Sequence, residues 1–162
     1  MQDSSVVAAA YRFLDRWAVP HPVERVFDAV GEPLAYPEWW PDVFLAAEGD
    51  GGPPEPGKRI SVLARGFLPY RLRFTMECLE VERPVRILSR LTGDFEGTGE
   101  WRLREDGDVT LCELDWRPTV AKPLVRVLTP ALRPLFRANH AWTMRRGQER
   151  ILERLDPSRA RT

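Results

Sequence analysis

Histidine and cysteine are scarce in this chain: His21, His140, Cys78 and Cys112 are the whole supply among 162 residues. Two distant histidines with no paired cysteine make no zinc site. Two cysteines are too few for a disulfide framework. Both lie in apolar runs and are expected to be free, buried thiols. Lysine is nearly missing too, with only Lys58 and Lys122, so the positive charge is almost all arginine. The formal net charge is zero, which removes the overall field that draws a protein to nucleic acid. The strands also carry no basic-aromatic motif for it. No segment approaches the roughly 20 apolar residues of a membrane-spanning helix. The opening MQDSSVVAAAYRF has no basic region ahead of an apolar one, so the expected location is cytoplasmic. No serine has the flanks of a nucleophile elbow. Gly93 to Gly99 lacks the spacing of a phosphate loop and leads into a strand rather than a helix. Neither a metal nor a cofactor is expected.

What is present is unevenly spread. Residues 1–60 hold ten acids and five bases, whereas residues 122–162 hold three acids and ten bases. The basic C-terminal segment reads first as a solvated helix face. Within it, Pro123 to Phe136 mixes apolar residues with arginine and is a candidate for weak contact with an anionic lipid surface.

Tyr11, Phe13, Trp17 and Val19 share one parity, the mark of a strand with one buried face. Pro22 to Val30 follows with Val23, Val26, Phe27 and Val30 at helical spacing and a proline suited to the first turn. Pro33 to Val43 can form only a short helical or turn-like piece, because it contains interior prolines. After the loop Glu48 to Gly57 comes a run of strands. Tyr70 to Val81 is the clearest, with Tyr70, Leu72, Phe74, Met76 and Cys78 on one face and Arg71 and Arg73 on the solvent face. Val85 to Thr92, Glu100 to Arg104 and Val109 to Thr119 continue the alternation, and Arg90 is expected to point outward. The glycines from Gly93 to Gly99 read as relief for strong sheet curvature.

Pro130 to Leu155 reads as a helix about 39 Å long. Leu132, Phe136, His140, Thr143, Met144, Gly147 and Ile151 gather on one side of it. Pro134 predicts a kink or break there. The order is one strand, two short helices, about six antiparallel strands and a long helix. The expected fold is therefore α+β: a curved antiparallel sheet of about seven strands around the long C-terminal helix. Residues 10–155 are read as one domain, with a flexible segment at 1–9 and a disordered tail at 156–162. One helix does not fill the concavity of such a sheet, and the space left over is a cavity.

Four stretches carry a family resemblance: Tyr36-Pro-Glu-Trp-Trp-Pro-Asp42, Thr92-Gly-Asp-Phe-Glu-Gly-Thr-Gly-Glu-Trp101, Asp115-Trp-Arg117, and Asn139-His140 followed by Met144 and Gly147. On these the chain resembles the helix-grip superfamily of START-type lipid-transfer and pollen-allergen-like proteins, and within it the bacterial polyketide cyclase/dehydrase-like group. The resemblance spans Tyr11 to Leu155. It implies an apolar or aromatic small-molecule ligand, such as a lipid or polyketide, in the central cavity. Its alternative implication is an aromatase/cyclase-like enzyme that promotes aldol closure and dehydration.

His140 is the leading catalytic candidate. An imidazole over an apolar pocket can exchange a proton with a bound ketone or phenol. It can equally bond a strand residue, and no acid nearby in the sequence is placed to orient it. Asn139 either meets the ligand or ties the helix to a loop. Thr143 and Gly147, small residues on the inward helix face, leave room for a ligand or for close approach of the sheet. Trp39, Trp40, Phe74, Trp101, Trp116 and Phe136 are the aromatic candidates for the ligand-binding wall, although large aromatics also build cores.

Overall fold

The computed structural model describes residues 11–120 and 123–161, and the side chains of these except at 120, 123–130, 159 and 160. The expected flexible segment at 1–9 lies outside the described residues. Seven strands form one antiparallel sheet: β1 (Phe13–Val19), β2 (Phe44–Gly49), β3 (Arg59–Arg65), β4 (Arg71–Glu82), β5 (Arg86–Gly93), β6 (Phe95–Asp106) and β7 (Val109–Val120). Their order is β1-β7-β6-β5-β4-β3-β2. Strands β2 to β7 pair as successive neighbours, and β1 closes against β7. Short helices α1 (Val23–Val30) and α2 (Tyr36–Trp39) carry the chain from one sheet edge to the other, and α3 (Pro123–Leu155) follows β7. The expected fold class holds: the sheet curls, and α3 lies along it as the one long helix.

Two features differ from the reading of the sequence. Strand β2 is not singled out by its pattern, because Phe44-Leu-Ala-Ala-Glu-Gly49 is short and its pairing with β3 shifts register between Phe44 and Ala46. At the other end, Pro157–Arg161 forms a 3-10 turn where a disordered tail is expected. Asp156 starts the turn by accepting from the backbone N–H and the hydroxyl of Ser158.

Helix α3 is not broken at its prolines. It is one continuous element from Pro123 to Leu155, so the break expected near Pro134 is absent. Pro134 withholds one donor from the ladder, and the helix runs on through it. The segment Pro123 to Phe136, considered for lipid contact, is helical; the side chains of 123–130 lie outside those described. No helix among the described residues is long and apolar enough to cross a membrane.

The glycine cluster has a specific use. Gly97 has φ of +140°, and a Cβ there would overlap the Arg117 carbonyl oxygen of β7. Only glycine lets β6 and β7 approach so closely at this bend.

The densest core lies at one end, where α1 and the last turns of α3 cover the sheet. Val19, Val26, Phe27, Val30 and Ile151 are fully buried there. An ion-pair cluster joins this end to α3. Asp42 accepts from Arg150 Nε at 2.6 Å and from Arg146 and Arg150 Nη2 at 3.1 Å each. The hydrogen bond from Arg150, with that from Arg146, holds the Asp42 carboxyl down at about 2. Arg117 and Arg12 hold Asp115 at about 2 likewise. Both folded-state values lie below the unfolded one, so the stabilisation is complete above about pH 4 and lost as pH falls through about 2. Each carboxylate contributes on the order of 1 kcal/mol once solvent screening is allowed for. Acid titration of unfolding should therefore show stability falling between about pH 4 and about pH 2. Asp42→Asn should flatten part of that slope, and an unchanged slope would show the cluster to be energetically silent.

Candidate functional site: a cavity between the sheet and the long helix

Away from the dense core, a partly open cavity of about 200 Å³ lies between the sheet and α3. Its wall follows from two periodicities. Along α3, Phe136, Asn139, His140, Thr143 and Met144 face it, the i, i+3, i+4, i+7, i+8 stripe of an amphipathic helix. Across the sheet the alternate residues face it: Leu72, Phe74 and Met76 from β4, Phe95, Gly99 and Trp101 from β6, and Leu114 and Trp116 from β7. Tyr36, Trp40 and Phe44 close the end nearest α2.

Of the ligand-binding candidates named from the sequence, Trp40, Phe74, Trp101, Trp116, Phe136, Asn139 and Thr143 line this space, as does His140. Trp39 is not on the wall. It is 5% exposed, stacked on Trp40 at 5.5 Å and edge-on to Tyr36 at 5.3 Å, so it backs the wall as core. Gly147 is likewise not a lining residue. The Trp40 indole occupies the space a Cβ would need, which decides for close packing over ligand room at that position. Arg71, Arg73 and Arg90 are exposed, as expected.

His140 has the partner that the sequence did not indicate. Its Nε2 lies 2.6 Å from Oδ2 of Asp15 on β1, 125 residues away. Asp15 shares the inward parity of Phe13 and Trp17, and that parity was the available signal: a lone carboxylate on an otherwise apolar face. His140 is 6% exposed. It stacks on Phe13 with centroids 4.0 Å apart and tilts against Trp116 at 5.0 Å. Phe13 and Trp116 are themselves a cross-strand pair between β1 and β7, so the ring sits on a rigid aromatic floor. The hydroxyl of Thr143 donates to the His140 carbonyl at 2.7 Å.

Three more polar groups belong to wall residues. Among the described residues, the Tyr11 hydroxyl and the Trp40 indole N–H have no hydrogen-bond partner, and both atoms are buried away from the open space. Tyr36 donates to the Val30 carbonyl. Burial pushes its phenol well above the ordinary tyrosine range, against a smaller opposing effect of a hydrogen bond with Trp101. The cysteines are chemically quiet: both are free and buried, and burial pushes the Cys112 thiol up to about 12.

Asn139 has two roles. It lines the cavity, and its Oδ1 accepts from the Leu68 N–H at 3.2 Å. Gly66 packs so closely on that amide that a Cβ would overlap it. Asn139 therefore ties α3 to the β3–β4 turn, where Phe67 also meets Trp142 edge-on at 6.3 Å.

A family model described as polyketide cyclase / dehydrase and lipid transport matches residues 15–157. No curated protein matches the chain significantly. Among solved structures, the fold is similar to the Zhui aromatase/cyclase of Streptomyces sp. R1128, with a TM-score of 0.70 and 14% identity over 90% of this chain and 93% of that one. It is similar to TTHA0849 of Thermus thermophilus, with a TM-score of 0.69 and 18% identity over 88% and 97%. It is also similar to ginseng major latex-like protein 151 of Panax ginseng, with a TM-score of 0.62 and 10% identity over 86% and 96%. At these identities the likeness establishes the fold.

Proposed function

The chain belongs to the polyketide cyclase / dehydrase and lipid transport family, and on that premise we propose that its cavity binds an apolar or aromatic small molecule. One observation carries the reading: a cavity of about 200 Å³ walled by Phe74, Trp101, Trp116 and Phe136 at the place where sheet and helix would otherwise close into core. Native interiors are packed to crystal-like density and keep few voids larger than a water. A space of this size holds an apolar ligand of one or two rings without any rearrangement.

The test uses the protein's own indoles. Trp40, Trp101 and Trp116 line the cavity, so titration with naphthalene should quench tryptophan emission saturably at one molecule per chain. A linear, non-saturating response would overturn the reading. Native mass spectrometry of protein purified from its own host would identify the chemical class of a retained ligand.

A second reading, catalysis of aldol closure and dehydration on a folded polyketide chain, is favoured by one feature, the Asp15–His140 pair on the wall. A carboxylate that orients an imidazole is the usual second half of an acid–base site. Under this reading His140→Ala costs about 10²-fold or more in rate while binding persists. Under pure binding it changes affinity only and leaves any product profile intact.

A further inference from the structure

We propose that Asp15 and His140 form the specificity anchor of the cavity, accepting a hydrogen bond from a phenolic or enolic hydroxyl on the ligand. The inference rests on the binding reading and sharpens it to a chemical class. A carboxylate only accepts hydrogen bonds, so Asp15 Oδ2 at 2.6 Å requires the proton on Nε2 of His140. The lone pair of the neutral ring is then on Nδ1. Among the described residues Nδ1 has no hydrogen-bond partner, and His140 lines the cavity.

The ring cannot readily turn to exchange its two nitrogens. Phe13 stacks on it at 4.0 Å and Trp116 tilts against it at 5.0 Å, while Asp15 holds its far edge. The polarity of the site is thus fixed before a ligand arrives: an acceptor at Nδ1, set in a wall of carbon.

A single acceptor in a wall of carbon fits a planar, mostly apolar molecule that carries a hydroxyl. It does not favour a plain hydrocarbon or an acyl chain. Asp15 acts here as a positioning residue and His140 as the group that touches the ligand.

The experiment compares 1-naphthol, 1-methoxynaphthalene and naphthalene by tryptophan quenching on the full chain. The methyl ether keeps the ring and the oxygen but loses the donor. Wild type should bind 1-naphthol about tenfold or more tighter than 1-methoxynaphthalene. His140→Leu should erase that preference while retaining naphthalene. Asp15→Asn should reduce the preference to about threefold or less.

Equal affinity of wild type for the naphthol and its ether would overturn the anchor and leave the binding reading standing. Failure of all three probes to bind would overturn both. A readout on wild type covers the case in which a variant does not fold. Long-range proton–nitrogen spectra at about pH 8, above the ordinary histidine range, should show His140 protonated on Nε2 alone. Its Nδ1 resonance should move with 1-naphthol and not with the ether. A ring protonated on Nδ1 in the free protein would sink the proposal.

Discussion

Gly99→Leu should abolish binding of an aromatic probe, by about 100-fold or more, while the protein stays folded. Gly99 lies on β6 between Ser89 of β5 and Trp116 of β7 and lines the cavity. A Cβ placed there meets nothing closer than Trp116 Cδ1 at 3.7 Å, an ordinary contact. Its backbone is not among the positive-φ glycines, so a side chain is tolerated. Leucine would project its isobutyl group into a space of only about 200 Å³. Glycine within a strand is itself destabilising, and the added carbons become buried at about 0.8 kcal/mol per methylene. The melting temperature should therefore hold or rise as the naphthalene response disappears. Naphthalene binding at wild-type affinity in the variant would show that the probe sits elsewhere.

Gly147→Ala should act differently, damaging the fold by pressing on Trp40 at the packed end of the cavity. The new Cβ would overlap the Trp40 indole, with Cε2 and Cη2 both at 2.7 Å. Away from the cavity, that ring is hemmed in by other aromatics. Trp17, Trp39, Tyr36 and Phe44 surround it at centroid distances of 5.6, 5.5, 5.9 and 5.1 Å. Forcing extra volume into such a packed site costs about 1–3 kcal/mol, and the rigid neighbours argue for the upper half of that range. For a chain of this size the melting temperature should fall by about 4–10 °C. The near-ultraviolet circular dichroism of the indole stack should change with it. A shift of under about 2 °C would show that the stack yields easily and that Gly147 is not the close-packing point it is taken for.

The two glycines illustrate how far each kind of information reaches. The period-2 and period-3.6 patterns place Phe74, Trp101, Trp116, Phe136, His140 and Thr143 on inward faces before any coordinates exist. The cavity wall is built from those residues. The patterns cannot tell which inward residues meet open space and which meet each other. Gly147 lies on the inward helix face and Trp39 stands beside Trp40, yet both belong to the packed end. Asn139 is both wall and latch, because the β3–β4 turn reaches it from 71 residues away.

Local sequence pattern is enough to place the fold class of this protein. A seven-strand antiparallel sheet with one long helix is written in the alternation of β4 and β7, the short helical run of α1 and the inward stripe of α3. These are local properties, set by backbone period and by the need to bury one face of each element. Free thiols and a long C-terminal helix follow in the same way. The continuity of that helix through Pro134 does not, because the local effect of a proline predicts a kink or break there. The chemistry of the cavity depends instead on contacts between distant elements. Asp15 and His140 are 125 residues apart, and no local rule relates a carboxylate on the first strand to an imidazole on the last helix. Sheet closure of β1 against β7 brings that edge under α3. A side-chain contact between distant elements is fixed by register and by how the helix sits on the sheet, and both are set by the whole fold rather than by any one stretch of the chain.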